Sequence, residues 1–457
     1  MKKYDKYKEY LYDWLPAIPA HWEEKSLRNY FFLSDERKGE STELELLSVY
    51  REYGVIPKAS RDDNKNVESE DTSKYKVVHK TDLVINKMKL WQGSLGISQY
   101  EGFVSPAYIV AHNKFNGNLR YLNLFLRSPL VKTYYNRISY GIRVGQWDSD
   151  FYSFKQLIVP VPPKDEQDQI VRYLDWQISR INHLIHGYQK QIKLLKERRQ
   201  TIIDRATTQG INENAAYKNS GVNWIDNIPE HWNMVYAKKL FAQRKDKAFP
   251  NDIQLTSSQK YGIISQEEFM KIEGRRLTVV MTGEDILKHV GIGDFVISMR
   301  SFQGGLEYSY VEGKISSAYV MLIPNKEKVY DEYFKWLLKS KPYIKALQGT
   351  SDLVRDGQAL RYANFAKVYL PEIPLDEQKE IAEYIATEVA KIDNALPTFQ
   401  KEIELLREYR TRLISDVVTG QIDVRDVVIP EYIPEEDVEI NTDEDGEDVE
   451  EVAEDAE

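Results

Sequence analysis

The chain has 457 residues, 42% of them apolar, enough for a substantial core and for two to four domains. It contains no cysteine, which excludes disulfides, thiolate zinc sites and cysteine nucleophiles. The net charge of −10 is unevenly spread: residues 431–457 hold 15 acidic residues and no Lys or Arg, so residues 1–430 carry +5 and form a mildly basic body.

The start, "MKKYDKYKEY", is basic, but no apolar stretch follows it and no run of 18 apolar residues occurs anywhere. A soluble, cytoplasmic protein is expected. Next comes "DWLPAIPAHW" (13–22), which returns as "NWIDNIPEHW" (223–232). Trp14, Ile18, Pro19, His21 and Trp22 match Trp224, Ile228, Pro229, His231 and Trp232 at an offset of 210. The correspondence continues along the chain. Leu47, Tyr53, Gly54 and Ile56 match Leu255, Tyr261, Gly262 and Ile264; "VSPAY" (104–108) matches "ISSAY" (315–319); Arg143, Gly145 and Gln146 match Arg355, Gly357 and Gln358. "PVPPKDEQDQI" (160–170) then matches "PEIPLDEQKEI" (371–381). One domain has been duplicated, and this is not a solenoid of short repeats. The Trp, Ile and Pro of the decapeptide are expected to pin the beginning of each copy onto its domain.

Within each copy, runs such as "KTDLVINKM", "AYIVAH", "GDFVISM" and "AYVMLIP" are β-branched, aromatic and bounded by Gly, Pro, Asn or Asp, so they predict strands. After "DEQ" the period changes. Ile170, Leu174, Ile178, Ile181, Ile185, Tyr188, Ile192, Leu195, Arg199, Ile202 and Ala206 are spaced by three or four, and adding 211 gives a second series from Ile381 to Val417. Each series is a coiled-coil seam, with Pro163 or Pro374 and acidic residues marking the helix start. The simplest partner for one seam is the other, which would relate the copies by a pseudo-twofold axis. Gly187 and Pro397 predict a bend near the middle of each helix. Arg199 and Arg410 share a seam position; their stems are expected to cover apolar surface while the guanidinium reaches water.

No catalytic spacing is present: GxxxxGK, GxGxxG, HExxH and GxSxG are all missing, as is an Asn/Asp-Pro-Pro-aromatic tetrapeptide. His183 and His186 lack a third ligand nearby and are read as solvated. "KDEQDQ" and "LDEQKE" resemble nuclease clusters in isolation, but their recurrence at helix starts makes them helix-start signals. What remains is a binding pattern. "NKMKLWQG", "RVGQWDSDFY", "SMRSFQGG" and "VRDGQALRY" interleave Lys, Arg, Asn and Gln with aromatics, a mixture suited to DNA phosphates and base edges.

"YKNSGVNWIDNIPEHW", "PPKDEQDQIVRYLDWQISRI", "IPLDEQKEIAEYIATEVAKID" and the closing "TTQGI" and "VTGQI" resemble the DNA-specificity subunit of type I restriction-modification systems, over about residues 7–425 in the family's order. The resemblance implies a mixed α/β (α+β) fold with two target-recognition domains (1–160 and 211–371), two long antiparallel spacer helices (161–210 and 372–425) and, beyond the family pattern, an acidic tail (426–457). It implies recognition of a bipartite, asymmetric double-stranded DNA target by a chain that is not itself catalytic. Methylation would come from modification subunits, two of them, using S-adenosylmethionine, and cleavage from restriction subunits using ATP and Mg. No metal or cofactor is expected on this chain. The alternatives are a fused methyltransferase-nuclease and a coiled-coil adaptor that binds only protein.

If the two domains read different half-sites, residues shared by both copies cannot explain the difference. Arg143, Gln146, Arg355 and Gln358 are therefore assigned to phosphate contact or loop architecture. Base readers are expected where the copies disagree: Lys58, Arg61, Asn64, Lys65, Lys87, Lys89 and Trp91 in the first domain, and Lys260, Gln266, Lys271, Arg275, Arg276, Arg300 and Gln303 in the second. The tail is read as a solubilising appendage, with a DNA mimic as the minor alternative.

Overall fold

A computed structural model of the chain describes residues 2–39, 44–51, 53–60, 72–141, 147–274, 286–298, 301–350 and 361–434. The chain forms two compact units that do not follow chain order. One gathers Met1–Tyr188 with the segment beginning at Lys401; the other is Gln189–Gln400. The divisions fall just after Gly187 and three residues after Pro397.

Each unit is built on the same sheet. In the first, the order is Phe31–Ser34, Tyr108–Asn113, Leu83–Asn86, Leu95–Ile97; in the second it is Phe241–Gln243, Val320–Pro324, Phe295–Ile297, Glu307–Tyr308. All pairings are antiparallel, with Val110 opposite Val84 and Met321 opposite Val296. Leu83, Val84, Ile85, Phe295, Val296 and Ile297 are almost wholly buried, so both faces of these central strands are covered and the apolar runs are continuous rather than alternating. One face of the second unit's sheet packs on Phe334, Tyr343 and Phe365, the other on Leu255, Ile263 and Ile315. The four sequence runs expected as strands all contain one.

The long helices span Lys164–Gln209 and Leu375–Val418, continuous through Gly187 and Pro397. No seam position is exposed. Within the first unit Asn182 faces Arg410, and within the second Asp393 faces Arg199, the same pair of positions from the two copies. Here the structure differs from the expectation for the arginines. Arg199 Nε lies 2.9 Å from Asp393 Oδ1 and Arg410 Nη1 lies 2.8 Å from Asn182 Oδ1, because a polar residue faces each of them on the opposing helix.

The decapeptide does more than pin the beginning of each copy. In the first unit the Glu166 carboxylate, 7% exposed, accepts from Trp22 Nε1 (2.9 Å) and the Tyr4 hydroxyl (2.6 Å) and pairs with His21 Nε2 (2.7 Å). In the second, Glu377 accepts from Trp232 Nε1 (3.0 Å) and pairs with His231 Nε2 (2.7 Å). The adjacent glutamine of "DEQ" clamps the globule. Gln167 donates to Pro162 O (2.7 Å) and accepts from the Asn118 amide (2.8 Å), while Gln378 donates to Lys328 O and Ile373 O and accepts from the Tyr330 amide, each at 2.8 Å.

A third part comes from the end of the other copy's helix. The Tyr121 hydroxyl lies 3.0 Å from Val418 O, and the Tyr333 hydroxyl lies 2.7 Å from Thr207 O. The chain then leaves each helix through a glycine with φ +74°, Gly420 or Gly210. A Cβ on Gly420 would stand 2.3 Å from Pro19 Cδ, which only glycine avoids. Each globule therefore sits on the start of its own copy's helix and the end of the other's.

Candidate nucleic-acid interface

Strand ends, turns and two short helices carry the described candidate residues. In the first unit the loop after Leu83–Asn86 presents Lys87 and the exposed Lys89, then turns through Leu90–Gln92. Lys87 Nζ lies 2.6 Å from Asp148 Oδ2, and that hydrogen bond raises the ammonium above its ordinary range. The Trp91 ring stands 5.1 Å from that of Trp147, and its indole Nε1 is buried without a hydrogen-bond partner among the described residues. The fold thus gathers Lys87, Trp91, Trp147 and Asp148 from segments 56 residues apart, next to the paired strands Ser139–Tyr140 and Asp148–Ser149. Lys58 stands on a separate turn, Lys58–Ser60.

In the second unit Lys260 occupies the exposed turn between Leu255–Ser258 and Gly262–Ser265, with its ammonium 5.0 Å over the Tyr261 ring. Gln303 is exposed on the short helix Ser301–Gly304, beside that turn: a Cβ on Gly304 would meet Gln259 Nε2 at 2.6 Å. Gln266 opens the helix Gln266–Glu273, whose Lys271 pairs with Glu267 at 2.7 Å on an exposed face. Arg61, Asn64, Lys65, Arg143, Gln146, Arg275, Arg276, Arg300, Arg355 and Gln358 lie outside the described residues, as does the acidic tail from residue 435.

Sequence reasoning passed over a second basic feature. A groove of about 750 Å³ in the second unit is lined by Asp204, Trp224, Lys341, Lys345, Lys367 and Tyr369, among others. All three lysines are exposed, and among the described residues none of their ammonium groups is paired. Burial pushes Asp204, the one acid among the described residues lining the groove, above the usual carboxylate range, with a hydrogen bond from Gln200 acting against it. The groove borders Thr350, where the chain enters 351–360 and its Arg355 and Gln358. Lys341 and Lys345 share a helix face in Lys341–Gln348, a spacing visible in "SKPYIK"; Lys367 joins them only through the fold. Among the described residues no group of three His, Asp or Glu is arranged to hold a metal, and no helix is long and apolar enough to cross a membrane.

Comparison with known proteins agrees with this arrangement. A family model described as "Type I restriction modification DNA specificity domain" matches residues 19–194, the body of the first copy. The type I restriction enzyme MjaVIII specificity subunit of Methanocaldococcus jannaschii is 25% identical over 371 residues, 78% of this chain and 82% of that one. A putative type I restriction enzyme MjaX specificity subunit of the same organism is 25% identical over 373 residues, covering 79% and 83%. A solved structure described as the "structural basis underlying complex assembly and conformational transition of the type I R-M system" has the same fold, with a TM-score of 0.63 at 13% identity over 89% of this chain and 99% of that chain. With the family model on the first copy and relatives matched over most of the chain, the protein is similar to the DNA-specificity subunits of type I restriction-modification systems.

Proposed function

We propose that this chain recognises a bipartite, asymmetric DNA target, each globule reading one half, and that it directs modification and restriction subunits to that target without being catalytic itself. The observation that carries the reading is the pairing of one sheet framework, repeated in order and register, with loops that differ in side chains. A shared scaffold with divergent tips is what two readers of different half-sites require.

In this reading Lys87, Lys89 and Trp91 meet one half-site and Lys260 and Gln303 the other, while Lys341, Lys345 and Lys367 hold phosphates of the second. Lys58, Gln266 and Lys271 flank these groups, and Arg61, Asn64, Lys65, Arg275, Arg276 and Arg300 remain base-reading candidates. Arg143, Gln146, Arg355 and Gln358 are assigned to the backbone. S-adenosylmethionine would be bound by two modification subunits, and ATP and Mg by restriction subunits. Double-stranded DNA in the cytoplasm is the substrate. A gel shift of the chain with its modification subunits on random bipartite duplexes, at low and moderate salt, tests the reading. Selection of two fixed half-sites around an unspecified gap is expected; absence of sequence selection contradicts it.

A further inference from the structure

The decapeptide, the "DEQ" segment and the glycine exit of the other copy's helix meet in each unit, and nothing in the base-reading role requires this. His21–Trp22 is 145 residues from Glu166–Gln167 in sequence, and the helix end at Val418–Gly420 lies 251 residues further on. The fold nevertheless brings His21 and Trp22 onto Glu166, the Asn118 amide onto Gln167 and the helix end onto Tyr121, and repeats the arrangement with Glu377, Gln378 and Tyr333.

We propose that this joint is a specificity-determining device: it locks the angle of each globule on its pair of helix ends and thereby sets the tolerance of the protein for the length of DNA between the half-sites. The proposal rests on the bipartite reading above. Glu166, Gln167, Glu377 and Gln378 are positioning residues in it, since they act through the globule rather than on DNA.

The chemistry fits a lock better than a hinge. Glu166 is 7% exposed and accepts from three donors, so one carboxylate fixes the indole, the imidazole and the Tyr4 phenol in a single arrangement. Gln167 holds the loop ahead of the globule's helix Leu119–Arg127 through the Asn118 amide, and Gln378 holds the loop ahead of Asp331–Leu337 through the Tyr330 amide. Tyr121 and Tyr333, on those same helices, reach the other helix end. The globule is thus held at two points on one of its own helices, which removes rotation about either.

The two joints are unequal. Arg425 lies 4.8 Å over the Tyr4 ring and grips Asp423 through two bonds of 2.9 Å, and the Asp423 amide donates to Lys2 O at 2.9 Å. The second joint has no counterpart of Tyr4 among the described residues, and the Glu377 side chain is 24% exposed. The first is therefore the stiffer.

Geometry on the DNA makes such stiffness matter. One added base pair moves a half-site by about 3.4 Å and turns it by about 34°. A globule with a fixed angle rejects that displacement, and one with a loose angle follows it.

The test uses the full chain with its modification subunits and duplexes carrying its own target, with the gap at the native length and one base pair longer or shorter. For the unaltered protein a penalty of about tenfold or more per base pair of gap change is expected, comparable to a wrong base. In Glu166→Ala and Glu377→Ala that gap penalty should shrink to about threefold or less while the penalty for a wrong base in either half-site stays intact. Glu166→Gln, which keeps an acceptor for Trp22, should restore most of it. Amide hydrogen exchange on the same samples should quicken at residues 17–22 and 416–421 in Glu166→Ala, with the sheet strands Leu83–Asn86 and Tyr108–Asn113 still protected. An unchanged gap penalty in the alanine variants overturns the proposal, as does joint loss of gap and base discrimination with exchange spreading through the sheet. A wild-type protein without any gap preference overturns the bipartite reading itself, which is a different result.

Discussion

Lys341, Lys345 and Lys367 illustrate how a residue's role depends on what does not surround it. Three exposed ammonium groups border one groove, with a single, partly desolvated acid among the described residues that line it, so a phosphate approaching them gains by releasing counterions. Replacing each by Ala should weaken binding to every duplex alike and reduce the slope of log affinity against log salt by about one per lysine in contact. Titration of the variants over a salt series checks this, and a change confined to one base position would assign the residue to base reading instead. Asp423 offers a residue-scale test of a different kind. The Arg425 guanidinium holds its carboxyl below the usual carboxylate range. A carboxyl with a lowered folded-state pKa contributes stability that is present above its unfolded value, near pH 4, and is lost as pH falls through the folded value. Asp423→Asn should therefore cost about 1–3 kcal/mol at pH 7 in thermal or urea melts, a gap that closes below about pH 4.

At the scale of elements, the seam was legible because apolar spacing of three and four persists over more than 35 residues in both copies, and burial follows it. The strands were legible for the same local reason. The joint was not: a helix-start signal accounts for Asp165 and Glu166 in the first turn, yet the partners of Glu166 lie far away in sequence and only the closed fold selects them. The arginine pairs were missed likewise, since Asn182 and Asp393 are unremarkable until the helices face each other. The long helices also permit a direct perturbation. At about 1.5 Å per residue, four residues inserted between Gln191 and Glu197 add about 6 Å, close to one turn, and shift the seam by one turn. If the helices set the distance between half-sites, the gap in the target should grow by about one to two base pairs with both half-sites unchanged. Motif mapping of cells carrying the insertion reads this directly; an active protein that keeps the old gap would remove the helices from that role.

For the whole molecule, the exchange of helix ends between copies has a consequence for fragments. Residues 1–215 contain the Pro19–Trp22 seat and the Thr207–Gly210 end, but in the intact chain the two serve different units. A second fragment supplies what each lacks, so the fragment should dimerise and bind a symmetric site made of two copies of the first half-target. Sedimentation at micromolar concentration together with a palindromic duplex decides this, and a monomer that binds no palindrome speaks against it. Duplication itself was legible from the nearly constant offset of about 210, and the structure repeats one sheet framework in both units. The central claim is that this chain alone chooses a bipartite target for its complex. Methylome sequencing of a host lacking other type I systems, with the modification subunit expressed alongside this chain, measures that choice. The account predicts one methylated motif of two different half-sites separated by a fixed unspecified gap, absent when the chain is omitted; a continuous motif, or one that persists without the chain, would contradict it.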